Sequence, residues 1–271
     1  MFLGGSPQRR RSPRQRHELH QMKTLRISLL GAHGRMGEAI CAAVQSNPDL
    51  TIAAKCDRGG SLARAIAGGD LAIDFSSVEA TKDICEACLD NKTPLVIGTT
   101  GHSADQRKLI ETAAASLPIV FAPNFSVGVN TLFWLTRKTA ELLGPDFDLE
   151  IVEMHHRLKK DAPSGTAEKL AEILSEVRKL DVQKDVAHGR QGMIGQRPKA
   201  QIGMHSLRGG DTVGDHHVIF AGPGEQLSLT HRASSRETFA RGALRAARWI
   251  VGKQPGLYDM EDVLGLSSLR S

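Results

Sequence analysis

The chain has 271 residues, 40% hydrophobic and 24% charged, with a formal net charge of +5. That balance describes a globular protein of one or two domains; no run approaches the ~18 apolar residues of a membrane helix, and the N-terminus lacks the apolar middle of a secretory signal. The excess charge is local, because Arg9, Arg10, Arg11, Arg14 and Arg16 against Glu18 give residues 1–21 a balance of +4, and the nearly neutral remainder offers no general surface for nucleic acid.

The leading segment MFLGGSPQRRRSPRQRHELHQ is too poor in apolar residues to offset chain entropy, which predicts disorder over 1–21. Met22 then reads as a second start; an Arg-rich organelle transit peptide is the alternative. From Leu25, LRISLL predicts a strand, GAHGRMG a glycine turn, and EAICAAVQS a helix with Met36, Ile40 and Val44 at helical spacing. LTIAAKC (50–56), LAIDF (71–75), PLVIG (94–98) and LPIVFA (117–122) supply four more strands, separated in several places by helix-like segments. Ser103, three residues before Gln106, gives one of those helices a capping-box start. The alternation predicts an α/β fold with a Rossmann-like, doubly wound, mainly parallel sheet. Cys85 and Cys88 form a C-x-x-C pair inside EATKDICEACLD, where the spacing puts both on one helix face and favours packing over redox chemistry or zinc. Cys41 and Cys56 add no disulfide framework, so a reducing, cytoplasmic setting is expected.

Gly31, Gly34 and Gly37 form G-x-x-G-x-x-G between a strand and a helix. Such a turn, free of side chains, lets backbone N–H groups reach a pyrophosphate, and the helix N-terminus near Arg35 and Met36 favours the negative charge. Asp57 and Arg58 stand at the end of the second strand, where an adenosine ribose is read. The carboxylate suits the 2′-hydroxyl of NADH and the guanidinium the 2′-phosphate of NADPH, which predicts tolerance of either cofactor. Gly98-Thr99-Thr100-Gly101 follows the fourth strand and Asn124-Phe125 the fifth, positions suited to the nicotinamide ribose and, for Phe125, to the ring.

In the second half, the helix-like TLFWLTRKTAELLG leads into DLEIVEMHHRLKKDAPSGTA. LEIVEM reads as a buried strand, HHRLKK places two imidazoles and several cations at its end, and Ser164 caps the amphipathic helix TAEKLAEILSEV. A cationic cluster beside a helix N-terminus suits an anion, and a dicarboxylate is a natural candidate. A metal site at His155 and His156 is disfavoured: adjacent strand residues point to opposite faces, and Arg157, Lys159 and Lys160 would repel a cation. QIGMHSL, DTVGDHHVIFAG and EQLSLTHR then predict an antiparallel or mixed sheet, the last two joined through Gly222-Pro223-Gly224. One sheet face would take the site helix and the other a partner subunit. A final amphipathic helix runs through Phe239, Ala243, Ala247 and Ile250. A semialdehyde dehydrogenase would need a nucleophilic cysteine in this half, and none follows Cys88.

From about Met22 onward the chain resembles the dihydrodipicolinate reductase family, through GAHGRMG, IDFS, VIGTTG, FAPNFSVGVN, EMHHRLKKDAPSGTA, GDTVGDHHVIFAGPGE and THRASSRETFARGALRAARW. The resemblance implies reduction of 4-hydroxy-tetrahydrodipicolinate (dihydrodipicolinate) to tetrahydrodipicolinate with NADH or NADPH, in the diaminopimelate route to lysine. It implies a pyrophosphate site at Gly31, Ala32, His33, Gly34, Arg35 and Met36, a ribose site at Asp57 and Arg58, and a nicotinamide side at Gly98, Thr99, Thr100, Ala122, Pro123, Asn124 and Phe125. His155 matches the general acid, Lys159 the catalytic lysine, His156 a substrate contact, and Gly165 with Thr166 the carboxylate-binding helix start. Ser76 and Ser77 stand where some members have Arg, which leaves NADPH preference open. The implied organisation is a dinucleotide-binding domain at 22–126 completed by 237–271, an α+β substrate and oligomerisation domain at 127–236 with a mixed sheet, and a homotetramer.

Overall fold

The computed structural model describes residues 24–269, so the disorder expected for 1–21 concerns residues outside the described ones. In chain order the first half runs β1 (Leu25–Leu30), α1 (Arg35–Gln45), β2 (Leu50–Cys56), α2 (Leu62–Ala67), β3 (Leu71–Asp74), α3 (Thr81–Asn91), β4 (Leu95–Ile97), α4 (Ala104–Ala114) and β5 (Pro118–Phe121). The second half continues with α5 (Val127–Leu143), β6 (Asp148–His155), α6 (Gly165–Arg178), α7 (Val182–Asp185), β7 (Val186–His188), β8 (Ile202–Arg208), β9 (Gly214–Gly222), β10 (Glu225–Ala233), α8 (Glu237–Ile250), β11 (Gly256–Tyr258) and α9 (Met260–Leu264).

The first sheet has the order β11-β5-β4-β3-β1-β2, and every neighbouring pair in it is parallel. Its inner strands β3 and β4 are buried throughout because helices cover both faces, while the edge strand β2 alternates with exposed residues. Ile27, Leu29, Ile73, Val96 and Val120 are fully buried on one side with Ala240, Ala243, Ala247 and Ile250 of α8; each large apolar side chain so buried contributes about 1.5–3 kcal/mol. The other face packs Leu30, Ala72, Leu95, Ile97 and Ile119 against helix residues that include Ile66, Ile84, Cys85, Cys88 and Ile110. All four cysteines are free thiols, and Cys85 and Cys88 lie in that core, where burial raises both thiol pKa values. The C-x-x-C pair is therefore packing. The chain leaves β1 towards β2 on one side and β3 on the other, so the sheet's switch point lies between β1 and β3, where a crevice opens at the carboxyl ends.

The second sheet is mixed, in the order β10-β9-β6-β8-β7. β6 and β8 are parallel, while β9 runs antiparallel to both β6 and β10. Leu149, Ile151, Ile202, Met204, Val218 and Phe220 bury one face against Leu132 and Phe133 of α5 and Leu170, Ile173 and Leu174 of α6. On the opposite face Glu150 accepts from Arg190 and Arg197, which holds the 189–201 loop over the sheet. Helix α5 starts earlier than its apolar periodicity indicates: Ser126 caps it by accepting from Val129 N, which draws Val127–Asn130 into the first turn. The elements not foreseen individually, α2, α7, β7, β11 and α9, have three to six residues, too few for periodicity to show.

Candidate active site

The crevice side is built from backbone. Gly31 has φ +79°, a conformation costly for any side chain, and a Cβ there would strike the carbonyl of Phe75. A Cβ on Gly37 would strike the carbonyls of Gly31 and Ala32, and one on Gly98 the ring of Phe75. Helix α1 has Gly34 as its N-cap and no side-chain cap, whereas Ser103, Ser126 and Ser164 cap α4, α5 and α6. Its first-turn N–H groups are left for an anion, favoured by the helix dipole. A cavity of 520 Å³ along this turn is lined by Gly31, Gly34, Asp57, Arg58, Phe75 and Ser76, among others. A second of 540 Å³, lined by Arg35, Met36, Gly98, Thr99 and Thr100, shares Gly34, Phe75, Ser76, Ser77 and Glu79 with the first. Together they make one groove across the switch point, of a chemistry that fits a dinucleotide.

At the far end of this groove the Asp57 carboxylate accepts from His33 N at 3.2 Å and pairs with His33 Nδ1 at 2.7 Å. Arg58 is exposed on the cavity wall beside it. Asp74, buried at the end of β3, accepts from Ser76 N at 2.9 Å and Thr99 Oγ1 at 2.8 Å, so one carboxylate ties together the loops after β3 and β4. Burial raises its pKa against the opposing pull of these bonds. Ala32, Ala122 and Phe125 belong to the core beneath the groove. Phe125 corrects the sequence expectation. It stacks edge-on with Phe75 at 5.8 Å, and α8 returns so closely that Gly242 lies against the Phe125 carbonyl; the aromatic ring on the groove wall is Phe75.

Thr100 also lines a third cavity, of 350 Å³, with Pro123 and Asn124 from one side and His155, Lys159, Asp161, Gly165, Thr166 and Lys169 from the other. Asn124 Nδ2 donates to Thr166 Oγ1 at 3.2 Å across it. Ser164 Oγ accepts from Ala167 N, so the N–H groups of Gly165 and Thr166, which precede the first intrahelical bonds, remain for a ligand. Lys159 Nζ donates to Asp161 Oδ2 at 2.6 Å, and that bond lowers the Asp161 pKa.

His155 closes β6, and its Nδ1–H donates to Glu153 Oε2 at 2.5 Å. The Glu153 carboxyl is fully buried. Burial opposes its charge, but hydrogen bonds from His155, Arg208 and Ser206 outweigh it and hold the pKa down at about 2. Arg208 grips both carboxylate oxygens at 2.9 Å. His216 stands edge-on to His155 at 5.2 Å and meets Ser164 Oγ at 2.9 Å; burial, then the neighbouring His155, push its pKa down to about 3, so this ring is neutral.

The structure thus brings His155, Lys159, Gly165, Thr166, Thr100, Pro123 and Asn124 to one cavity. It does not bring His156 there. That residue's backbone N donates to Thr212 O at 2.7 Å, and its buried Nδ1 has no hydrogen-bond partner among the described residues, as expected of a residue following His155 on the opposite side of an extended chain. The sequence reading missed Glu153, Arg208, His216 and Asp161. Glu153 carried a usable signal, since residues two apart on a strand share a face; Arg208 and His216 carried none, because only strand register sets them beside β6.

Comparison with known families and structures agrees along nearly all of the described chain. The profiles "Dihydrodipicolinate reductase, N-terminus" and "Dihydrodipicolinate reductase, C-terminus" match residues 25–125 and 128–264. A 4-hydroxy-tetrahydrodipicolinate reductase of Akkermansia muciniphila is 58% identical over 90% of this chain and 99% of its own, and one of Anaeromyxobacter dehalogenans is 45% identical over 89% and 98%. The dipicolinate-bound dihydrodipicolinate reductase from Paenisporosarcina sp. TG-14 superposes with a TM-score of 0.69 at 26% identity, covering 87% of this chain and 97% of that one. A probable dehydrogenase from Thermotoga maritima, 14% identical with a TM-score of 0.52 over 88% and 92%, shares the fold alone. The chain belongs to the dihydrodipicolinate reductase family.

Proposed function

We propose that this protein reduces 4-hydroxy-tetrahydrodipicolinate to tetrahydrodipicolinate with NADH or NADPH, in the diaminopimelate route to lysine. The observation that carries this reading is the shared position of Thr100. It lines both the dinucleotide groove and the cavity holding His155, Lys159 and the start of α6, so a cofactor and a small dianion would meet there.

When bound, the reduced nicotinamide supplies a hydride, two electrons with one proton. The protein's part is placement, charge and a second proton. The unclaimed N–H groups at the start of α1 would hold the pyrophosphate, with Thr99 and Thr100 alongside the nicotinamide ribose. Gly165 and Thr166 N–H groups, Lys159 and Lys169 would seat the substrate carboxylates, so orientation replaces diffusional encounter. His155 would donate the proton that the ring requires after hydride arrival, with Lys159 stabilising the negative charge that develops. Counted from the dihydro ring left when the C4–OH bond breaks and the hydroxyl departs as water with a proton from the neighbouring carbon, one reduced cofactor and one proton thereby give one product and one oxidised cofactor.

His33 occupies Asp57 in part, and Arg58 sits beside it, which supports use of either cofactor. The outer face of the mixed sheet, where Leu207 stands half exposed beyond the 189–201 loop, supports a homotetramer assembled through that sheet. No described helix is long and apolar enough to cross a membrane; four free thiols fit the cytoplasm. The test is oxidation of NADH and of NADPH by the purified chain, with substrate generated in place from pyruvate and aspartate semialdehyde by a coupling synthase. Substrate-dependent oxidation is expected with both. Cofactor binding without oxidation would overturn the substrate and the roles of His155 and Lys159.

A further inference from the structure

We infer that Glu153 is the positioning residue of this site: it fixes the Nδ1–H tautomer and ring orientation of His155 and ties the lysine loop and the anion-binding helix to the same carboxylate. The inference rests on the reaction proposed above. A fully buried carboxylate is costly unless charge and lone pairs are both answered. Here each is answered by a part of the site. His155 Nδ1 donates at 2.5 Å, Ser164 N at the head of α6 at 3.2 Å, and Arg208 with two nitrogens at 2.9 Å. Arg208 Nη2 also donates to the carbonyl of Asp161 at 2.7 Å, and the Asp161 side chain holds Lys159. The proton donor, the cationic loop and the helix start therefore converge on one group.

The consequence for His155 follows from imidazole chemistry. With Nδ1 committed to Glu153, the proton exchanged with substrate has to pass through Nε2. Nε2 makes no hydrogen bond among the described residues, and the residue beside it is Gly214, where a Cβ would come within 3.0 Å of that nitrogen. Glycine at the start of β9 keeps Nε2 open. The charged and titratable groups around the ring are Glu153 on β6, Arg208 on β8, His216 on β9, and Lys159 and Asp161 in the following loop, with Lys169 of α6 lining the same cavity. Glu153 alone among them accepts a hydrogen bond from the ring.

Glu153→Gln keeps the shape but removes the charge. A kcat loss of about 100-fold is expected, with KM changed several-fold less and NADH affinity, read by fluorescence titration, unaltered. A lowered melting temperature with kcat and KM unchanged would show a merely structural carboxylate and overturn the inference. If the variant does not fold, nitrogen chemical shifts of the wild-type histidines decide the matter, His155 being assigned by its loss in His155→Gln. In alkaline buffer, where the ring carries a single proton, that proton is expected on Nδ1, and one found on Nε2 refutes the role of Glu153. Failure of the wild-type enzyme to turn over would count against the proposed reaction alone, because the tautomer is read without substrate.

Discussion

The two ends of the ligand-binding groove are made of different material. At the dinucleotide end the groove is opened by the absence of side chains: Gly31, Gly34 and Gly37 clear a path to the first turn of α1, and the Asp57 and Asp74 carboxylates hold protein N–H and O–H groups. At the end proposed to be catalytic, side chains from β6, β8, β9, α6 and the loop between β6 and α6 join the N–H groups of Gly165 and Thr166. The first kind of site is written in local spacing. The second depends on which strands become neighbours, so it tolerates little rearrangement and shows little of itself in the sequence.

The contrast makes measurable claims. The largest effect is expected at the catalytic end: His155→Ala or Lys159→Ala should lower kcat by about 10²- to 10⁴-fold while NADH affinity stays within a factor of two. Near-normal turnover in either would break the division of labour. At the dinucleotide end, Gly31→Val should do the reverse. It forces a β-branched residue into a positive-φ position and a Cβ onto the Phe75 carbonyl, so cofactor affinity should fall at least about tenfold, with a stability loss of about 1–2 kcal/mol or more. Equilibrium dialysis and thermal unfolding read the two effects separately.

Acid should expose the catalytic end first. His216 is held neutral, with its pKa pushed to about 3 by burial; the unfolded chain takes up this proton first, so stability falls as pH drops below the ordinary histidine value of about 6.5. Glu153 and Glu150, both held at about 2 by bonds that outweigh burial, contribute stability that is present above the ordinary carboxylate range and lost towards pH 2. The melting temperature should therefore decline in two stages, by about 2–4 °C for each kcal/mol. His216→Gln should shrink the first stage, to which His102 and His231, also pushed down by burial, contribute the remainder, and leave the second; an unchanged first stage would assign it elsewhere.

Smaller effects separate Asp57 from Arg58. Asp57→Ala should weaken NADH several-fold more than NADPH, and Arg58→Ala the opposite; an unchanged ratio in both would remove these residues from cofactor choice. The smallest effect belongs to the basic tail, whose removal should leave kcat/KM within a factor of two.

The strands that build the groove were legible because parallel strands covered on both faces are apolar runs bounded by turns, and LRISLL matches β1 residue for residue. The Ser103 capping box and the Ser164 cap were legible because their partners lie three residues away. Phe125 was misplaced because its surroundings come from α8, more than a hundred residues later, and an aromatic at a strand end looks the same whether it faces a ligand or a returning helix.

The sequence by itself determined the glycine path, the acid-and-base pair after β2, the histidine and lysine after β6, and the serine that starts α6, since each depends on residues a few positions apart. Tertiary structure alone decided that Thr100 faces His155 across one cavity, that Phe75 and not Phe125 lines the groove, and that Arg208 and His216 flank the Glu153–His155 pair. Those contacts are fixed by β-sheet register, Glu153 against Ser206 on one side and His216 on the other. Register is set by the packing of whole faces, which a single local pattern does not encode.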